Sequence, residues 1–405
     1  MRKQTFKKIA LAFGAIFAMT IAGCSENNSS DEMTAEYLPA QLQEGDDWCF
    51  VGTEGKVFAK DQFEFEPSAV INGVFSAVDS TGISLYKFDK NGSSPIANCS
   101  HLYTVGYANE GLIPITRPQS RIEVVDINGK TKFALDPVDS CEIIYSNLAF
   151  HDGMLEVQDA NSKCGYFNSK GECTIKPQYD YASDFSDGLA YVGNIVNDKY
   201  AIKVIDINGN VKFDVKDGYL PILNFRSGKL FVRGESDEIA WYDAKGEFNK
   251  CPDAVHNVMQ WNDKAYVYVS GNGCGVMDYE GNNIVPDCYM AIQILPDGKF
   301  LCSNNQTCTI FSAGGKEETV IDGFHGMVAY LAPVGYFGYY DDVQLLDSKG
   351  KSRDDKVFYS FGFRSSVSEY LVNDKPGAMP TNVGGELYFD DEDMDDDSIS
   401  AEVAE

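Results

Sequence analysis

The sequence predicts an all-β repeat protein, most simply a β-propeller of seven to nine blades, on three observations. A turn glycine recurs at a nearly constant interval through most of the 405 residues. Apolar residues alternate in the segment before each such glycine, the pattern of a strand with one buried face. Beyond residue 23, no segment carries an apolar period that would sustain two turns of helix. Apolar residues make up 44% of the chain and aromatics 13%, enough to bury a core.

The repeat is clearest at its turn. Val125-Asp126-Ile127-Asn128-Gly129 and Ile205-Asp206-Ile207-Asn208-Gly209 share one form, and Tyr242-Asp243-Ala244-Lys245-Gly246 and Met277-Asp278-Tyr279-Glu280-Gly281 vary it. The glycines stand at 55, 92, 129, 171, 209, 246, 281, 315 and 350, separated by 34 to 42 residues. Three positions earlier stand Gly52, Asp89, Asp126, Asn168, Asp206, Asp243, Asp278, Ser312 and Asp347. A carboxylate there can accept backbone N–H groups two residues on, and the glycine can take positive φ. Asp89, Asp126, Asp206, Asp243, Asp278 and Asp347 are therefore read as structural turn residues. They lack the spacing of an EF-hand calcium loop.

Strands follow from the columns around the turn. Seven residues before the glycine come Trp48, Leu85, Ile122, Cys164, Ile202, Ile239, Cys274, Cys308 and Val343. Five before it the residues are again mostly apolar, and the column between is mixed. A second strand precedes, as in residues 189–192 and 229–232, and a third follows the turn, as in 211–215. A weaker segment, Val258-Met259-Gln260-Trp261, supplies a fourth. Units of this size cannot bury both faces alone and must stack. Nine turn glycines exceed the usual four to eight blades. Such rings often close with a strand from each chain end, and the alternative is an open β-repeat array.

Residues 165–192 resemble a WG-type repeat. That pattern has Trp-Gly, an aromatic, Asp-x-x-Gly, Ile-Pro, Tyr-Asp, then Phe and Gly-Leu-Ala. Here the sequence reads Gly165-Tyr166-Phe167, Lys170-Gly171, Ile175-Lys176-Pro177, Tyr179-Asp180 and Gly188-Leu189-Ala190. The eponymous Trp is Cys164 here and Cys274 in a second, partial copy. The resemblance implies architecture, and the family carries no single activity.

Outside the repeats, the first 23 residues read as a targeting segment. Arg2, Lys3, Lys7 and Lys8 precede an apolar run from Ile9 to Ala22, which ends Ile21-Ala22-Gly23-Cys24. This resembles the lipobox of bacterial lipoproteins and implies lipidation of Cys24. Residues 24–39 then form a flexible tether, the repeat domain spans 40–389, and 390–405 is an acidic, disordered tail. Ser25 after the cysteine implies the outer membrane of a bacterial cell envelope rather than inner-membrane retention.

Net charge is −28 from 33 basic and 61 acidic residues. That excludes a nucleic-acid partner, which needs a basic surface. The four histidines lie far apart in sequence, there is no CxxC pair, and no metal or other cofactor is expected. Of eleven cysteines, Cys302 and Cys308 flank a hairpin loop and are the candidate disulfide. Cys164, Cys274 and Cys308 replace apolar residues of the core column. No catalytic motif is present: no GxSxG, Walker loop or HExxH. The functional expectation is a lipid-anchored envelope protein that binds a protein or glycan partner without catalysis. The alternative is a carbohydrate-active or other hydrolytic propeller using paired carboxylates.

Overall fold

The computed structural model describes residues 35–362 and 365–366, except 81, 198, 305–306, 323–326, 332–333, 340–342 and 348–350. The targeting segment, Cys24 and the acidic tail lie outside the described residues. Among those described there is no α-helix; the one helical turn is the 3-10 segment Thr53–Gly55.

Strands assemble into eight four-stranded antiparallel sheets and one three-stranded sheet. The three-stranded sheet gains an inner edge from residues 68–71, where the Ser68 N–H donates to the Ser76 carbonyl at 2.8 Å. These nine sheets are the blades of a β-propeller. Blade 2 spans 68–95, blade 3 spans 104–134, blade 6 spans 219–250, blade 7 spans 257–289, blade 8 spans 291–322 and blade 9 spans 327–358. Blade 4 consists of Ile143–Ser146, Met154–Asp159, Cys164–Asn168 and Cys173–Tyr179. Blade 5 consists of Tyr181–Ala182, Leu189–Val196, Lys199–Asp206 and Val211–Asp214. We call the four strands of a blade A to D. Strand D is mostly exposed, as in Val211–Asp214, so D is the outer edge and A the inner one.

Ring closure has two signatures. Blade 1 takes its strand A, Ser360–Phe361, from the far end of the chain and pairs it with Leu38–Gln41. Apolar packing says the same. Among the described residues nine buried clusters lie between the blades, one for each neighbouring pair. They include blade 9 against blade 1, where Phe337, Leu345 and Phe358 meet Leu38, Ala40 and Val51. A row of nine sheets would have only eight interfaces. The open array is therefore excluded, and the fold is the propeller, at the upper end of the expected blade count.

Packing on both sides also alters the expected burial. Most of the mixed column of strand C is interior too: Cys49, Tyr86, Gly165, Ala240, Gly275 and Thr309 are buried, Glu123 and Gln344 are half-buried and Lys203 is exposed. Strand C lies between two neighbouring blades and packs on both faces where the residue is small or apolar, while the longer charged Lys203 reaches solvent. Gly165, the glycine of the WG-type match, is required by close approach. A Cβ there would stand 2.5 Å from the Ile175 carbonyl oxygen.

The folded chain begins earlier than the expected boundary at residue 40. Ala35 and Leu38 are buried, and Tyr37 stacks on Phe88 at 4.2 Å. In an antiparallel blade the A–B and C–D turns share one end. Leu38 pairs with Val51 just before the C–D turn of blade 1, and strand A of that blade runs toward the same end. Both ends of the described chain thus leave on the A–B/C–D face of the ring.

Candidate functional site

The turn aspartates do what their position requires. Asp126 Oδ1 accepts the N–H groups of Asn128 and Lys130 at 2.9 and 3.1 Å. Asp206, Asp243 and Asp278 repeat this pair of bonds. Asp89 accepts from Asn91, and Asp347 from Lys351. Asn168 makes the same pair of bonds, and Ser312 accepts one of them, from Lys316. Hydrogen bonds from Lys130 and Asn128 hold the Asp126 carboxyl below the usual range. These residues build turns at the outer rim and converge on no site.

Cys302 and Cys308 correct the disulfide expectation. In the register of blade 8, Cys302 lies opposite Thr309, and Ser303 lies opposite Cys308. Side chains alternate faces along a strand. Cys302 accordingly packs toward blade 7 and Cys308 toward blade 9. Both thiols are free and buried.

A second turn type, not anticipated from the sequence, organises the inner edge. Five A–B hairpins turn through two residues of positive φ, at Asn72-Gly73, Glu110-Gly111, Asp152-Gly153, Asp187-Gly188 and Ser227-Gly228. That is the type I′ geometry that matches strand twist. The acid of one turn reaches the glycine N–H of the next blade. Glu110 accepts from Gly153 at 2.7 Å, Asp152 from Gly188 at 2.6 Å and Asp187 from Gly228 at 2.7 Å.

Aligned on these glycines, two acids stand out. Three residues after the glycine come Ser76, Pro114, Glu156, Tyr191 and Phe231. Four before it come Ala69, Tyr107, Ala149, Asp184 and Asn224. Each column holds a single charged residue, and both face the cleft between blades 4 and 5. In strand B of blade 4, Leu155 and Val157 pack toward blade 3 while Met154 packs toward blade 5. Glu156, two residues from Met154, therefore points to blade 5. Asp184 follows strand A of blade 5 and meets it there.

Three blades supply the surroundings. Asn147 Nδ2 donates to Asp184 Oδ1 at 2.6 Å. The other carboxylate oxygen lies 3.9 Å from His151 Nε2, which also contacts the Tyr107 hydroxyl at 3.2 Å. The Tyr166 hydroxyl donates to the Ser183 carbonyl at 2.6 Å and ties blade 4 to the backbone beside Asp184. Asp184 and His151 lie deep between the blades yet keep 21% and 19% of their side-chain surface accessible, so they line a space that solvent reaches.

The electrostatics are those of uncompensated acid. Burial pushes the Glu156 carboxyl up to about 7, and the nearby Asp184 adds to it. Burial also raises Asp184, against the opposing pull of His151 and Asn147. Burial, then the field of these carboxylates, raises Tyr145 and Tyr191 to about 12. Cys164 bonds Glu156 and is pushed up to about 12, first by burial. Among the described residues no lysine or arginine pairs with either acid. The WG-type pattern has Trp where the buried Cys164 stands.

Comparison with known proteins follows this layout. The WG containing repeat family matches residues 165–200, from strand C of blade 4 to strand C of blade 5, so this chain carries a WG-type β-repeat. The match takes in Asp184, Gly188 and Tyr191. No curated protein matches the sequence. Similar solved structures include BamB from Moraxella catarrhalis, at 11% identity over 74% of this chain and 95% of that one, with a TM-score of 0.37. AztD from Citrobacter koseri gives 11% identity, 73% and 95% coverage and a TM-score of 0.37. The WD40 β-propeller domain of Doa1 gives 14% identity, 82% and 96% coverage and a TM-score of 0.28.

Proposed function

We propose that this chain is a lipid-anchored β-propeller of the bacterial cell envelope that binds a protein or glycan partner without transforming it. The observation that carries the binding reading is the Glu156–Asp184 cleft. Two desolvated acids without a full counter-charge weaken a fold, and apolar residues of similar volume would serve stability as well or better. Neighbouring blades place Ser, Pro, Tyr or Phe at the Glu156 position. A ligand that meets the acids gives them a role that packing does not.

Anchoring rests on the Arg2–Cys24 segment and its lipobox resemblance. A tether from Cys24 to Ala35 would attach at the A–B/C–D face, leaving the opposite face turned outward. Cys24→Ala in the native cell tests this: loss of membrane partition and of processing is expected, and unchanged partition refutes the anchor. The partner is sought by cross-linking and mass spectrometry in intact envelopes. Wild type is expected to capture a partner that Asp184→Asn captures less, and equal capture refutes the cleft as the contact.

One observation favours a hydrolytic reading as well. Glu156 near 7 and a neighbouring acid are the ingredients of an acid–base pair. Release of new reducing ends from envelope polysaccharide by wild type, but by neither Glu156→Gln nor Asp184→Asn, would replace the binding reading with this one.

A further inference from the structure

We infer that the cleft between blades 4 and 5 takes a ligand bearing a primary ammonium group, seated between Glu156 and Asp184 among tyrosines. This rests on the reading of the cleft as a binding site and names the chemistry it selects.

The argument is one of charge, wall and size. The two acids occupy columns that are otherwise uncharged in the five aligned blades, and they meet across one interface. The titratable groups around Glu156 come from both sides. On blade 4 these are the neutral side chains of Tyr145, Cys164 and Tyr166, and on blade 5 they are the Asp184 carboxyl and neutral Tyr191. His151 lies 3.9 Å from the far oxygen of Asp184, and Tyr107 contacts the His151 ring. The tyrosines and Cys164 are neutral, so Glu156 and Asp184 alone set the sign of the local field: where ionised they make it negative, and an anionic ligand would be repelled. A neutral ligand would leave the repulsion between the carboxylates in place. Among the described residues no three His, Cys, Asp or Glu side chains converge closely enough to hold a metal ion. An ammonium group needs less: one or two carboxylates and aromatic faces, which attract cations through their quadrupole.

Binding a cation requires an ionised Glu156, so affinity for a probe that keeps its proton to pH 8, a lysine derivative above all, should rise with pH. With the carboxyl near 7, its ionised fraction grows about tenfold between pH 6 and pH 8, and affinity should follow. The profile is repeated in His151→Asn, because that ring lies 3.9 Å from Asp184.

The test uses the full chain solubilised in detergent and isothermal calorimetry with three ammonium probes from different sources. These are glucosamine for a glycan, Nα-acetyl-lysine methylamide for a protein and ethanolamine for a lipid headgroup. Each is paired with its N-acetylated, uncharged form. The expected result is binding of at least one ammonium probe, at least tenfold weaker binding of its acetylated partner, and at least a tenfold loss in Glu156→Gln and in Asp184→Asn. Both variants are checked for unchanged circular dichroism. If acetylated probes bind equally well and with the same sensitivity to the variants, the ammonium inference falls while the binding site stands. If ammonium probes bind but neither variant matters, or if no probe binds, the inference falls and the site reading loses its support.

Discussion

Replacing Glu156 by glutamine should stabilise the protein at neutral and alkaline pH and leave it almost unchanged at acid pH. The side chain keeps its volume and loses its charge. In the unfolded chain the carboxyl ionises near 4.5, but between blades 4 and 5 it holds its proton to about 7. Its folded value is raised, so the folded state binds the proton more tightly. The stability it contributes is complete below pH 4.5 and is lost as the pH climbs through 7. At 1.36 kcal/mol per pH unit the interval is worth about 3 kcal/mol. For a domain of about 330 residues this corresponds to about 4–5 °C in Tm. Thermal melts of wild type and Glu156→Gln across pH 4.5 to 8.5 check it. The two curves should meet near pH 4.5 and separate as pH rises, with Gln the more stable. A constant gap across that range would mean that Glu156 is not a desolvated acid, and the reasoning about the cleft would fail with it.

Three further outcomes follow from the turns and the cysteines. Asp206→Ala should cost about 1 kcal/mol by denaturant titration, while Asp206→Asn costs much less. Asn168 already fills the same turn position with the same two bonds. Gly246→Ala should cost about 1–3 kcal/mol more than Gly45→Ala, since both have φ near +85° but only the Gly246 methyl would meet Phe213, at 2.7 Å. Cys302 and Cys308 should each take a separate alkylating label after denaturation without reductant; a peptide linking the two would overturn the register of blade 8.

Much of the fold was legible because its cause is local. An Asx turn and a positive-φ glycine are decided within five residues, so Asp126, Asp206, Asp243 and Asp278 could be assigned from their spacing alone. Alternation before Gly209 and Gly246 likewise marks a strand whatever surrounds it. The burial of the mixed column was not legible, because it depends on a second neighbouring blade. The cysteines show the same limit. Cys302 and Cys308 look paired along the chain, but a single step of register sends them to opposite faces.

The candidate site was missed for a related reason. Glu156 and Asp184 read as ordinary surface acids until the chain is aligned on the A–B glycines at 73, 111, 153, 188 and 228. That alignment was available in the sequence, and it shows each acid alone in its column. The meeting of the two was not available. They belong to different blades, and their pairing needs the packing angle that sets blade 4 against blade 5.

By itself, then, the sequence determined the strand-and-turn unit and its near-constant length and bounded the blades at seven to nine, since backbone preference and alternation act over a few residues. Tertiary structure alone decided that nine units close into a ring, because closure sums small rotations over nine packed interfaces and is sealed by a strand from residues 360–361 against residues 40–41. It also decided that two isolated acids share one cleft, where the loss of water raises both and the field of Asp184 raises Glu156 further.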